Sequence, residues 1–438
     1  MLPSRAPFSL EGGSMHRSDT MPQRLIVVLL FVAAIGAGLA GQTPQSAGVT
    51  VYEGARLITG DGSAPIENSA FVVQGDRFTD VGRRGQLKVP AGAARVDLTG
   101  KTVMPAIVDA HTHMPTERPA LVDLLEHKAY YGVGALISLG SDAGDLALQV
   151  RQQPIAGAPL LRTAGRGITS PEPGRTTVPY WVTTEAEARK AVQELAARQV
   201  DIVKIWVDDR DGKYTKLTPA LYGATIDEAH RNKLRVTAHI VTLDDAKGLL
   251  RAGLDGFAHS VRDRDIDAEI VAMIKARPNF FLVPNLPDRG VKTDLGWIDS
   301  IPAAELKKLQ EASSDRPAAQ EAFGIQARNL ARLTKEGVLV ALGTDGGVPW
   351  SHHLEMADMV AAGMTPMQVI VAATRNAAQV LRLSDLGTVA AGKSASFVVL
   401  DRNPLDDITN TRRISTVYLR GTAIDRGALK ARFSSGKS

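Results

Sequence analysis

The sequence predicts an α/β protein: a (β/α)8 TIM barrel accompanied by a small composite β-sandwich built from both chain termini. Three observations point there. From about residue 103, short apolar runs without helical period alternate with capped helical segments, the rhythm of a parallel sheet covered by helices. Eight such runs over roughly 280 residues suit a closed barrel better than an open sheet. On either side lie segments dense in Val, Gly and turn dipeptides, each too short to build a good core alone.

The eight runs are Thr102–Val108, Ala135–Leu139, Leu160–Ala164, Ile202–Val207, Val236–Ala238, Gly256–Ala258, Phe280–Val283 and Val338–Leu342. The helices between them carry their own start signals. Thr218-Pro219 opens one that runs to about Arg231, and Thr365-Pro366 opens another that runs to Leu381. A third begins near Thr183-Thr184 and continues to Arg198, and a fourth, from about Asp244, stops at Gly253. In the flanks, Val49–Tyr52, Ala70–Val73, Arg95–Leu98, Gly387–Val389, Ser396–Leu400 and Thr416–Leu419 read as short strands. The expected organisation is therefore residues 49–103 and 385–432 for the two parts of the sandwich, and 104–384 for the barrel.

The first forty residues read as an address. Arg24 precedes the apolar run Leu25–Ala34, small residues follow to Ala40, and a polar stretch begins at Gly41. This is the pattern of a secretory signal peptide over residues 1–40, and the apolar run is shorter than the roughly 20 residues of a membrane span. A periplasmic or secreted protein is expected, with no stable membrane span in the mature form; an uncleaved N-terminal anchor is the competing reading.

Composition narrows the chemistry. The 438 residues are 44% hydrophobic and 22% charged, with a formal net charge of +4 and no long basic run, which disfavours nucleic acid as a partner. Cysteine is absent, so a disulfide framework, a thiolate nucleophile and a cysteine metal site are all excluded. Any metal must be held by nitrogen and oxygen.

Candidate ligands of that kind are present. In Asp109-Ala-His111-Thr-His113, at the end of the first run, strand alternation puts both histidines on one face. A His-x-His pair alone is weak evidence; its company is what counts. His239 ends Val236-Thr-Ala-His, His259 ends Gly256-Phe-Ala-His, and Asp345 follows Leu342-Gly-Thr. Each is the polar residue at the C-terminal end of an expected strand, where active sites of this barrel lie. Of nine histidines, four occupy such positions.

Lys204 sits inside Asp201-Ile-Val-Lys-Ile-Trp-Val, with apolar neighbours on both sides. An unpaired ammonium there would be unfavourable by several kcal/mol. Pairing with an aspartate or snorkelling are structural escapes. The alternative that suits this company is a neutral amine that takes up carbon dioxide and becomes a carbamate, an anionic ligand able to bridge two cations.

Val103-Met-Pro-Ala-Ile-Val-Asp-Ala-His-Thr-His, the strand lysine, the two single histidines and Leu342-Gly-Thr-Asp345 together resemble the amidohydrolase superfamily, in its imidazolonepropionase-like and Xaa-Pro dipeptidase-like branch. Ala372-Ala-Thr-Arg-Asn-Ala-Ala and Leu386–Leu400 add to the resemblance, which spans roughly residues 49 to 430. It implies two divalent metals, with zinc the first expectation for imidazole-rich sites. It further implies His111, His113 and Asp345 on the more buried metal, His239 and His259 on the more exposed one, and an N-carboxylated Lys204 between them. Ala106 stands where the family commonly has glycine after Met-Pro.

Such a centre would ionise a bridging water near neutral pH, and Asp345 would take its proton and pass it to the leaving nitrogen. The expected reaction is cleavage of a C–N amide bond in a small substrate, such as a dipeptide or N-acyl amino acid. A mononuclear deaminase or a cyclic-amide hydrolase on the same barrel is the alternative, although no acid follows His239 closely, as deamination would want. A metal-binding protein without catalysis is a third reading. The expected partner is a small-molecule substrate, and a homo-oligomer is compatible with all of this. Substrate contacts are expected from Trp206, Tyr180, Arg210 and His353, with Arg262 and Arg289 in a wider set on the strand-end loops. His352 is expected to face solvent.

Overall fold

The computed structural model describes residues 48–436. The leader expected over residues 1–40 lies outside them. Among the described residues no helix is long and apolar enough to cross a membrane.

Two all-parallel sheets carry most of the core. One holds β1 (Ile107–Thr112), β2 (Val133–Ser138) and β3 (Leu160–Thr163), neighbours in that order. The other begins with the short strands Tyr180–Trp181 and Ile168–Thr169. It continues through β4 (Val203–Trp206), β5 (Val236–His239), β6 (Gly256–Phe257), β7 (Phe281–Leu282) and β8 (Leu339–Val340). Backbone hydrogen bonds cross between the sheets on both sides. Asp201 N donates to the Thr163 carbonyl at 2.9 Å, and Ala110 N donates to the Leu342 carbonyl at 2.8 Å. β1, β2 and β5 are buried along their whole length, which is why they read as unbroken apolar text.

Three helices start where their caps said they would, and the fourth, expected from about Asp244, starts after Thr242. The hydroxyls of Thr184, Thr218, Thr242 and Thr365 accept from the amides of Glu187, Leu221, Asp245 and Gln368, and each opens its helix. The helix begun at Pro366 differs from a plain one. It widens into a π-turn over Ala372–Asn376 before closing at Ala377–Val380. The widened turn lets the Ala372 carbonyl accept from Leu342 N, just beyond β8.

The run Thr102–Val108 is not one strand. Ala106 N donates to the Ser396 carbonyl, and the next amide, Ile107 N, donates to the Gly132 carbonyl. The chain thus changes partners between adjacent residues. Thr102–Pro105 pairs antiparallel with Phe397–Leu400, while Ile107 starts β1. That pairing joins the two ends of the chain in one five-stranded sheet: Thr422–Ala423, Ile414–Leu419, Phe397–Leu400, Thr102–Pro105 and Arg56–Leu57. A four-stranded sheet of Arg77–Arg83, Ser69–Gln74, Val49–Glu53 and Ala94–Asp97 shares a buried aromatic cluster with it. Tyr52 stacks on Phe71 at 5.0 Å and Phe397 on Tyr418 at 4.4 Å, with Phe78 edge-on to Phe71. Gly387–Val389 does not form a strand; Val389 N instead donates to the Thr59 carbonyl.

Candidate metal centre

The C-terminal ends of β1, β4, β5, β6 and β8 bring the expected ligands toward one another. His111 Nε2 and His113 Nε2 lie 3.1 and 3.0 Å from Asp345 Oδ1, and His259 Nε2 lies 3.4 Å from Asp345 Oδ2. Lys204 Nζ is 3.4 Å from His111 Nε2. The ligand atoms of His111, His259 and Asp345 all fall within 4.8 Å of one another. His239 stands slightly apart. Its ring is 4.6 Å from that of His259, and its Nε2 is turned to Asp208 Oδ2 at 3.0 Å, leaving Nδ1 as its remaining nitrogen.

Local backbone chemistry sets these positions. Asp345 has φ +53° and Asn285, beyond β7, has φ +41°. Both are non-glycine residues in the left-handed region, an unfavourable arrangement of order 1 kcal/mol each that the surroundings must hold. Asp109 does much of the holding. Buried completely, it accepts from His111 N and Thr344 N through Oδ1, and from Lys128 Nζ and Thr344 Oγ1 through Oδ2. It therefore ties β1 to the residue before Asp345. The amide of Asn285 lies 2.6 Å from His111 Nδ1 and fixes that ring from behind. Gly343 makes room: a Cβ there would fall 2.3 Å from Val283 Cγ1 and 2.8 Å from His111 Cβ.

Burial keeps the imidazoles of His111, His239 and His259 neutral. It lowers His111 to about 3, with the Lys204 charge adding to the effect, and lowers His239 to about 4. His259 is pushed well below its ordinary value by burial and by Arg262. Burial also brings the Lys204 amine down to about 7. For Asp345 burial works in the opposite direction, but its contacts with His111 and His113 hold its carboxyl well below the usual range. Neutral imidazoles and an ionised carboxylate are the states that bind metal, and this donor set suits a borderline divalent cation. The residues present fit such a group.

Of the expected substrate contacts, Trp206 reaches the centre. Its ring lies 5.4 Å from Lys204 Nζ and covers Gly140 and Gly167, where any Cβ would strike the indole. Tyr180 lies at the sheet edge beneath the Arg166 guanidinium, 3.9 Å away. Arg210 donates to Glu172 at 3.0 Å and to Asp208 at 2.5 Å, so carboxylates behind His239 already absorb its charge. His353 is corrected: it is buried in the helix Ser351–Ala361, its nitrogens on the Tyr131 carbonyl and Thr411 Oγ1, within a core that contains Tyr131 and Trp297. His352 is also buried, bonded to the same Tyr131 carbonyl, and does not face solvent. A helix begins at once after the loop, and its packing face takes both rings.

Asp208 is a site residue that the sequence reading missed. It stands two residues beyond Trp206, so alternation alone would have placed it on the same face. Its carboxylate orients His239 in the manner of an outer partner to a metal ligand, and its hydrogen bond from His239 and its Arg210 neighbour hold it ionised despite burial. Asp208→Ala is expected to weaken metal binding about 10- to 100-fold, read by chelator competition, with the far-UV circular dichroism unchanged.

Comparison with known proteins agrees with this geometry. The family model described as "Amidohydrolase family" matches residues 155–424, which include Lys204, His239, His259 and Asp345. The imidazolonepropionase of Deinococcus radiodurans is 25% identical over 398 residues, covering 82% of this chain and 92% of its own. An uncharacterized protein of Mycobacterium tuberculosis is 28% identical over 348 residues, 76% of this chain and 88% of its own. Among solved structures, a Xaa-Pro dipeptidase with bound methionine superposes with a TM-score of 0.69 at 21% identity, covering 86% of this chain and 99% of that one. Molinate hydrolase gives 0.70 at 22%, over 88% and 96%. The α/β fold with its parallel sheet, the donor cluster and the family match agree: the chain belongs to the amidohydrolase family and is a hydrolase acting on carbon–nitrogen bonds.

Proposed function

We propose that the chain is a binuclear metal-dependent amidohydrolase that cleaves the C–N amide bond of a small substrate, such as a dipeptide or N-acyl amino acid. The observation that carries this reading is the convergence of His111, His113 and His259 on the Asp345 carboxylate, with the buried Lys204 amine beside them. His111, His113 and Asp345 would hold one cation, His239 and His259 the other, and Lys204 as a carbamate would join both. The low basicity of Lys204 supports that last step, since only a neutral amine adds carbon dioxide, with release of one proton. When bound, two divalent cations, with zinc preferred, would supply Lewis acidity and a water that ionises near neutral pH.

The protein groups have separate tasks. Asp345 takes a proton from the attacking water and delivers it to the leaving nitrogen as the C–N bond breaks. Asp109 and Thr344 fix its backbone, and Trp206 walls the centre. The surrounding architecture is read as a closed (β/α)8 barrel, supported by the hydrogen bonds that cross between the two parallel sheets. The flank sheets are read as one composite sandwich, supported by their shared aromatic cluster. Residues 1–40 are taken as an export leader.

The experiment is a screen of zinc-loaded protein against dipeptides, N-acyl amino acids and cyclic amides, following amine release. Turnover of at least one linear amide, abolished by chelation and restored by zinc, is expected; chelator-insensitive turnover or none would overturn the proposal. One observation favours the mononuclear alternative: His111, His259 and Asp345 form the tightest group, which could serve a single cation. Metal stoichiometry separates the two.

A further inference from the structure

We propose that Arg210 is a positioning residue for His239: its guanidinium holds the Asp208 carboxylate in place, and Asp208 in turn fixes the imidazole with Nδ1 as the nitrogen left for metal. The inference rests on the two-metal reading above, in which His239 serves the more exposed cation. The contacts are direct. Asp208 Oδ1 accepts from Arg210 N at 2.8 Å, and Oδ2 accepts from Arg210 Nη1 at 2.5 Å and from His239 Nε2 at 3.0 Å. A carboxylate only accepts, so Nε2 carries the ring hydrogen and Nδ1 is bare.

The backbone is bent to make this clamp. Arg210, Asp211 and Gly212 have φ of +56°, +59° and +78°, three successive residues in the left-handed region of which only the last is glycine. Residues with a side chain visit that region singly, not in runs. The turn is closed by Tyr214 N on the Asp209 carbonyl at 2.9 Å and by Gly212 N on Asp209 Oδ1 at 3.0 Å. It returns both the amide and the guanidinium of Arg210 to a carboxylate two residues back. Strain of this kind persists where the surroundings hold it, and it gathers at functional sites.

The far side of the guanidinium is anchored as well. Arg210 Nε donates at 3.0 Å to Glu172 Oε1, a buried carboxylate in the segment between Ile168–Thr169 and Tyr180–Trp181. Tyr214 Oη donates to the Pro173 carbonyl at 2.9 Å, so the two loops are joined at two points. The planar fork serves one carboxylate through Nε and the other through Nη1, which the single nitrogen of a lysine does not do. Without it, among the described residues, Asp208 would keep only the amide of residue 210 and His239 as hydrogen-bond partners. Its carboxylate could then turn, and His239 would lose its fixed partner.

The test uses Arg210→Asn and Arg210→Gly, two residues that suit a left-handed turn and keep the amide. Nitrogen NMR of metal-free protein carrying labelled histidine, at about pH 8 where imidazole is neutral, reads the tautomer of His239, assigned with His239→Asn. Chelator competition reads each zinc equivalent. Wild type is expected to show one tautomer, with the hydrogen on Nε2. Both variants should mix the tautomers and weaken the second zinc equivalent about tenfold, the lower end for an outer partner. The first equivalent and the metal-free melting temperature should hold. In protein that binds two equivalents, an unchanged tautomer, an unchanged second affinity or an equal loss on both equivalents would overturn the proposal. Failure of both variants to fold would also overturn it, by making the arginine structural. Should wild type bind one equivalent only, the two-metal reading fails and the tautomer alone decides: a mixture in the variants upholds the positioning role, and a fixed Nε2 hydrogen removes it.

Discussion

Lys204→Met should yield a folded protein with little metal and at least about a hundredfold less amide hydrolysis, since losing a ligand should exceed the loss of an outer partner. Stability should not explain the defect. Lys204 is 1% exposed, and among the described residues its amine has only His111 within hydrogen-bond reach, so an apolar chain of similar length removes a buried charge and exchanges like volume for like. Compared in the metal-free state, the melting temperature of the variant should therefore match or exceed that of wild type, while metal binding and activity fall. Lys204→Ala leaves space as well, and acetate or bicarbonate should restore part of its activity by replacing the missing anion. Arginine should not substitute, because its guanidinium stays protonated and would face the cations. Undiminished turnover in Lys204→Met would make the lysine structural and remove the carbamate.

Asp345→Asn should lower kcat by about 10²- to 10⁴-fold, the usual contribution of a positioned proton acceptor. The amide preserves size and can still accept from His111 and His113, and the turn at φ +53° tolerates Asn well. A structural loss is thus separated from a chemical one. The expected signature is a collapse of kcat with a much smaller change in KM, read at equal metal content. An unchanged kcat would take the proton transfer away from Asp345.

Much of this centre was legible because ligands and strands obey simple geometry. Period-two alternation put His111 and His113 on one face, and the positions of His239, His259 and Asp345 at strand ends followed from where the apolar runs stopped. The threonine caps Thr184, Thr218 and Thr365 marked helix starts for the same local reason. What alternation does not convey is rotation and partnership. His353 follows a loop, so it read as a pocket residue, yet the helix that begins at Ser351 turns it into the core against Tyr131. Arg210 read as a substrate contact because one of its partners, Glu172, comes from a distant loop, although the other, Asp208, stands only two residues away. Thr102–Val108 read as one strand because a change of hydrogen-bonding partner at Ala106 leaves no mark on hydrophobicity. The supporting roles of Lys128 and Asn285 depend on contacts across the fold with Asp109 and His111.

The central claim is that these ligands form a two-metal centre, and metal content measured together with activity tests it most directly. Protein produced with zinc, freed of loosely bound ions and assayed by mass spectrometry, should carry close to two equivalents per chain, with hydrolysis of an amide substrate rising as the second equivalent is restored to depleted enzyme. A content that stays near one equivalent at full activity would contradict the binuclear account and leave His111, His259 and Asp345 serving a single cation.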